Sequence, residues 1–91
     1  MNPEEIKSLI TAFIENSIVE VNSDDNVHFE ATIISQSFEN KSLIERHKMV
    51  YASLGDKMKQ EIHALAITAL TPDENELKVL KNWENIAKTK N

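Results

Sequence analysis

The sequence predicts one small α+β domain over residues 1–91, with helices and strands in the order α-β-β-α-β-α. Three observations support this fold class. The chain has 91 residues, which is enough for one hydrophobic core but not for two. Its 41% hydrophobic and 27% charged residues, with one glycine and two prolines, are typical of a globular, helix-rich protein. Three segments have apolar residues at helical spacing, and the segments between them have the composition of strands.

Capping signals and apolar periodicity predict three helices. Asn2, Ser42 and Thr71 are suitable N-caps, and each is followed by a proline or a glutamate in the first turn. The last helix is expected over residues 72–88, and the second helix is expected to bend near Gly55. The apolar stripes of the three helices are Ile6, Leu9, Ile10, Phe13 and Ile14; Leu43, His47, Val50, Leu54 and Met58; and Leu77, Leu80, Trp83 and Ala87.

Three segments between the helices are predicted to be strands. Residues 18–21 are mostly β-branched, and residues 27–35 alternate between apolar and polar, so the polar loop 22–26 should join them as an antiparallel hairpin. Residues 62–70 are apolar and uncharged after His63, which favours a strand that is covered on its faces or central in the sheet. The helix between the second and third strands should form a crossover, so that the two strands lie parallel, and such crossovers are almost always right-handed. We therefore expect a three-stranded mixed sheet with its helices packed on one face.

Composition excludes several classes of function. The chain contains no cysteine, so it has no disulfide, no thiol nucleophile and no sulfur ligand of its own for an iron-sulfur cluster. Its net charge of −5 argues against strong sequence-independent binding to nucleic acid, although two basic and nine acidic residues in 1–45 contrast with eight basic and six acidic residues in 46–91. No signal peptide or membrane anchor is recognisable, so a cytoplasmic protein is expected.

The histidines at the beginnings of two strands are candidate metal ligands. His28 opens the second strand, His63 lies near the start of the third, and Asp24 and Asp25 lie in the adjacent loop. If the two strands are neighbours, these side chains converge at one edge of the sheet, where imidazole and carboxylate are competent ligands for zinc or iron. The alternative is that each histidine is a polar strand residue that bonds to backbone or water.

Basic residues around the second helix are a second candidate site. Arg46, Lys48, Lys57 and Lys59 are able to contact phosphates, or they simply form a solvated helix face. No glycine-rich phosphate loop, nucleophile elbow, HExxH motif or paired-carboxylate signature occurs in the sequence, so an enzyme is not expected.

The chain resembles the BolA family from Ile6 to about Glu74. The motifs are His28-Phe29; Ser35 with Phe38 and Ser42; Arg46-His47-Lys48-Met49-Val50-Tyr51 with Leu54; and Ile62-His63-Ala64-Leu65 before Thr71-Pro72-Asp73-Glu74. The resemblance implies a fold of the type II KH arrangement, which has the same element order as the one read from periodicity. Asn40 stands where a glycine is common in the family, and asparagine tolerates a positive φ better than most residues. Asn75 stands where a tryptophan is common in the family. Trp83 is expected to cover the apolar surface that this tryptophan usually covers.

The resemblance also implies a function. It implies partnership with a monothiol glutaredoxin, with an iron-sulfur cluster shared between the two proteins and sulfur supplied by the glutaredoxin and its glutathione. His63 is the ligand that the family motif predicts. The family takes a second ligand, cysteine or histidine, from the loop between the first two strands. That loop has neither here, so we prefer His28 over an oxygen of Asp24 or Asp25.

Two alternatives remain open at this stage. Some family members are described as transcriptional regulators of stress response and cell shape, so the resemblance also allows DNA binding through the basic residues of the second helix. A homodimer or another assembly through the last helix is the second alternative, and exposed apolar surface around Trp83 would favour it.

Overall fold

The computed structural model describes residues 1–60 and 64–89, with side chains described for 1–58 and 64–81. The elements are α1 (Pro3–Phe13), β1 (Ser17–Asn22), β2 (His28–Ser35), a 3₁₀-helix (Gln36–Phe38), α2 (Leu43–Leu54), α3 (Lys57–Gln60), β3 (Ala64–Leu70) and α4 (Pro72–Thr89). Within these residues no helix is both long and apolar enough to cross a lipid bilayer. The predicted α+β class is confirmed.

The sheet is mixed, with β2 between β1 and β3. β1 pairs antiparallel with β2, and Val19 lies opposite Ile33. β3 pairs parallel with β2, and His28 lies opposite Ala64. The predicted hairpin and crossover are therefore both present. β3 is an edge strand of the described sheet, so of the two predicted alternatives the central position was wrong.

The helices α1 and α2 pack on the sheet face that carries Phe29, Ala31 and Ile33. Alternation along β2 places these three side chains in the core and leaves His28 and Glu30 exposed on the other face. The other buried apolar residues are Ile6, Ile10, Ile14, Val19, Phe38, Val50, Leu54 and Ala69. One face of the sheet therefore makes the core, and the other face presents polar side chains at the start of β2.

The caps predicted from sequence are formed. Asn2 Oδ1 accepts from the N–H of Glu5 at 2.9 Å, and Ser42 and Glu45 make a reciprocal capping box at the start of α2. Asn40 has a φ of +61°, as its replacement of glycine predicts. These local signals depend on a few neighbouring residues, which is why the sequence alone shows them.

Some positions of the predicted helical stripes are not buried. Phe13 and Leu43 are exposed, because each lies in a terminal turn of its helix. The second helix does not bend and continue to Met58. It ends at Leu54, Gly55 takes a φ of +54°, and the separate short helix α3 begins at Lys57. In α4, Leu77 and Leu80 are exposed, and the predicted Trp83 and Ala87 side chains lie outside the described side chains.

Candidate functional site

The loop between β1 and β2 is organised by one carboxylate. Asp25 Oδ1 accepts from the backbone N–H of Val27 and of His28, both at 2.9 Å. This arrangement is an Asx-type turn, in which a short acidic side chain replaces backbone partners. The carboxylate is consequently fixed relative to the first residue of β2.

A serine and an asparagine complete the turn. Ser23 Oγ donates to the carbonyl of His28 at 2.6 Å and accepts from the N–H of Asn26 at 2.9 Å. Asn26 has a φ of +56°, in the left-handed region that asparagine tolerates. The loop therefore has defined side-chain to backbone bonds on both sides of Asp25, although it is exposed.

The second oxygen of Asp25 holds the His28 ring. Asp25 Oδ2 lies 2.8 Å from His28 Nδ1, and the two side chains are 50% and 71% exposed. The pKa of Asp25 is well below its ordinary value, first because of the hydrogen bond from the His28 side chain and then because of the backbone N–H groups of His28 and Val27. Asp25 is therefore ionised at neutral pH and accepts at both oxygens.

His28 lines an open groove of about 510 Å³. The groove is lined by residues 22–25, 28–30 and 64–66, which belong to the hairpin loop, the start of β2 and the start of β3. Asp24 and Glu30 are exposed at its rim, and Ala64 and Ala66 are exposed beside them. The predicted candidates His28, Asp24 and Asp25 are thus brought to one edge of the sheet.

His63, the other predicted ligand, lies outside the described residues. The chain is described again from Ala64, the next residue, which is the Cα partner of His28 in the parallel ladder. In the described part of the chain, no group of three or more His, Asp or Glu side chains is arranged to hold a metal ion. The described residues alone therefore do not form the zinc or iron site that the sequence suggested.

The basic residues of the second candidate site do not form one exposed patch. The Arg46 guanidinium donates to Glu74 Oε1 at 2.6 Å and Oε2 at 3.2 Å, and also to the Ala69 carbonyl at 3.0 Å. Its side chain is 11% exposed. Arg46 is therefore occupied within the domain, and a phosphate contact by this residue would require breaking that network.

The lysines differ from Arg46. Lys48 is exposed on α2, and Lys57 is exposed and takes part in an interaction. The side chain of Lys59 lies outside the described side chains. Among the described candidates, Lys48 is thus the clearest exposed cation.

Two side-chain pairings were not predicted from the sequence. The pairing of Asp25 with His28 was not predicted, although an aspartate three residues before a histidine in a tight polar loop is a usable signal. The pairing of Arg46 with Glu74 joins residues 28 apart in sequence, so no local pattern announces it. Two of the predicted site residues, His28 and Arg46, therefore each have a carboxylate partner within the domain.

The fold matches that of solved BolA structures. A bolA protein homologue from Coxiella burnetii is similar with a TM-score of 0.75 and 36% identity, covering 84% of this chain and 97% of that one. A sequence model described as BolA-like protein matches residues 11–74. The chain belongs to the BolA-like protein family.

Two curated relatives carry more specific names. A region of SufE-like protein 1, chloroplastic/mitochondrial, from Arabidopsis thaliana is 45% identical over 51 residues, which are 56% of this chain and 14% of that protein. The DNA-binding transcriptional regulator BolA from Haemophilus influenzae is 33% identical over 60 residues, which are 66% of this chain and 58% of that protein. The chain spans less than two thirds of either relative. Because one name refers to organelles, the cytoplasmic location stays a prediction.

Proposed function

We propose that this protein is a non-enzymatic module that binds a monothiol glutaredoxin and shares an iron-sulfur cluster with it, in order to transfer or sense the cluster. His63 is the first iron ligand in this proposal and His28 is the second. The glutaredoxin and glutathione supply the sulfur ligands. Family membership supports the proposal, because the motif residues that carried the resemblance include His63.

The absence of cysteine in the sequence supports a shared cluster. Iron-sulfur clusters are usually held by four cysteine thiolates, and in Rieske centres two histidines replace two of them on one iron. This chain has three histidines and no cysteine. A cluster on this protein therefore needs thiolates from elsewhere, which is the requirement that a thiol-bearing partner meets.

The exposed ring of His28 is the single observation that carries the choice of second ligand. The ring is 71% exposed at the groove, and Ala64, which follows His63 in the chain, is its partner across the ladder. Imidazole nitrogen is a good ligand for iron. Asp25 is a poorer candidate, because both of its oxygens already accept hydrogen bonds.

Coexpression with a monothiol glutaredoxin tests the proposal. The wild-type mixture should yield a coloured heterocomplex whose visible spectrum differs from that of the glutaredoxin homodimer. His63→Ala should abolish the difference, and His28→Ala should shift or weaken it. Glu39→Gln, a charge change at an exposed residue beyond the far end of β2, should behave as wild type. A wild-type spectrum for His63→Ala would show that His63 is not an iron ligand.

DNA binding is the second candidate, because the Haemophilus influenzae relative is named as a DNA-binding regulator. The exposed Lys48 is the described residue best placed to contact phosphate. The affinity for duplex DNA should fall steeply with salt, and Lys48→Gln should reduce the slope of log K against log salt by about one unit. Affinity weaker than about 10⁻⁴ M at physiological salt, the weak limit of ordinary non-specific binding, would exclude this candidate.

A further inference from the structure

The hydrogen bonds of Asp25 determine which nitrogen of His28 carries a proton. Asp25 Oδ1 is engaged by two backbone N–H groups, so Oδ2 is the oxygen that faces the ring. An ionised carboxylate has no proton and only accepts hydrogen bonds. At 2.8 Å from Oδ2, His28 Nδ1 must therefore be the donor. In the neutral ring, the lone pair is then on Nε2.

The unprotonated nitrogen of His28, Nε2, is also accessible. No described residue makes a hydrogen bond to His28 Nε2, and the ring lines the groove at the start of β2 and β3. A metal ion binds the unprotonated nitrogen of a neutral imidazole. Histidines that bind metals usually donate their other N–H to a carboxylate or a carbonyl, which fixes the ring and raises its basicity. The Asp25–His28 pair has this arrangement.

We infer that Asp25 is a positioning residue for iron, holding the proton of His28 on Nδ1 so that Nε2 is the atom offered to the cluster. This inference rests on the proposed function, since it concerns the second ligand of the same site. Asp25 itself does not touch the iron. Its effect is to select one tautomer and one orientation of the ring before the partner binds.

Substitution of Asp25 by Asn provides a sharp test, because it keeps the size of the side chain, removes its charge and reverses the direction of one hydrogen bond. The Asn Oδ1 is able to keep both backbone N–H groups, while the amide NH₂ replaces Oδ2 opposite the ring. An amide NH₂ donates, so His28 Nδ1 must accept and the ring proton moves to Nε2. Asp24→Asn is the matched control, because it removes the neighbouring carboxylate, which makes no hydrogen bond to the ring.

The first measurement uses the protein alone. Long-range proton-nitrogen NMR spectra of the ¹⁵N-labelled chain at about pH 9, well above the ordinary histidine pKa of about 6.5, report the tautomer of each neutral ring. We expect the Nδ1–H tautomer of His28 in the wild type and in Asp24→Asn, and the Nε2–H tautomer in Asp25→Asn. Unchanged backbone amide spectra for the rest of the chain will show that the variant is folded. The same His28 tautomer in all three proteins overturns the inference.

The second measurement uses the complex with the glutaredoxin. Asp25→Asn should lower the affinity for the cluster by about 10-fold to 100-fold, as is typical when a metal-binding histidine loses its hydrogen-bond partner. A smaller fraction of the heterocomplex should then carry the altered spectrum. An unchanged fraction, despite a changed tautomer, overturns the positioning role. If the wild-type mixture forms no heterocomplex although the tautomer responds as expected, the proposed function fails and the assignment of His28 as a ligand fails with it.

Discussion

Two ion pairs near opposite ends of β3 differ in exposure and in what they connect. The Asp25–His28 pair, beside the start of β3, joins residues three apart, and its side chains are 50% and 71% exposed. The Arg46–Glu74 pair, beside the end of β3, joins α2 to α4, and its side chains are 11% and 43% exposed. The first leaves a ring nitrogen accessible, whereas the second satisfies a backbone carbonyl of β3. The same kind of contact therefore orients an exposed ring at one end of β3 and ties α2, α4 and β3 together at the other.

The packing beneath Arg46 should give the largest effect on stability. The guanidinium lies over the ring of Phe38, 5.9 Å from its centroid, and Phe38 is fully buried. Phe38→Ala should lower the free energy of unfolding by about 3 kcal/mol or more, through lost burial and the cavity left behind. Phe13→Ala, the same substitution at an exposed ring, should cost much less. Equal losses in urea unfolding would contradict this assignment of the core.

Removal of Arg46 should give the next largest effect. Arg46→Ala leaves the Ala69 carbonyl without its side-chain donor and removes the partner of Glu74. We expect the free energy of unfolding to fall by about 2 kcal/mol, because a hydrogen bond to a charged group contributes about 1.5–3 kcal/mol and the contact with the partly exposed Glu74 is weakened by solvent. Arg46→Lys should recover part of the loss, since lysine keeps the charge but not the two-pronged geometry. A change below about 0.5 kcal/mol for Arg46→Ala would place the pair among ordinary surface contacts.

The pH dependence of the free energy of unfolding should also reflect the Arg46–Glu74 pair. The hydrogen bond from Arg46, and then the backbone N–H of Thr71, lower the pKa of Glu74 from 4.5 to about 2. A lowered pKa in the folded state gives stability that is present above the unfolded pKa and is lost as the pH falls towards the folded one. The difference in unfolding free energy between wild type and Glu74→Gln should therefore shrink as the pH falls from about 5 to about 2. A difference that stays constant over this range would contradict the pairing.

Substitution of His28 should have the smallest effect on stability. Because the ring is 71% exposed, His28→Ala should change the free energy of unfolding by no more than about 0.5 kcal/mol, as is usual for surface positions. Any effect of this variant on the heterocomplex can then be attributed to the lost imidazole and not to unfolding. A loss above about 1 kcal/mol would mean that the Asp25–His28 pair supports the fold, and the contrast between the two pairs would disappear.

Local signals in the sequence were sufficient for most of the fold. Asn2, Ser42 and Thr71 were identified as caps because the residues that they bond lie three positions away. The end of α2 at Gly55 was not predicted, because apolar spacing continues to Met58 although the backbone does not. The edge position of β3 was also not predicted, because the composition of an uncharged strand does not distinguish the centre of a sheet from its edge.

The candidate site was predicted in part. His28, Asp24 and Asp25 were expected at one edge of the sheet, because the starts of neighbouring parallel strands lie together, and the structure places all three at the same groove. The specific role of Asp25 required coordinates, since periodicity gives the face of a side chain but not its hydrogen bonds. The same limit applies to Arg46, because its place in the sequence of α2 does not show its contact with Glu74, which lies 28 residues away.

The central claim is that the His28 ring binds cluster iron in the complex with the glutaredoxin. Pulsed electron paramagnetic resonance of the reduced heterocomplex measures it directly, through the coupling of the electron spin to ligand nitrogens. We predict couplings from two imidazole nitrogens in the wild type, one of which is lost in His28→Ala. A His28→Ala complex that retains both couplings would contradict the claim.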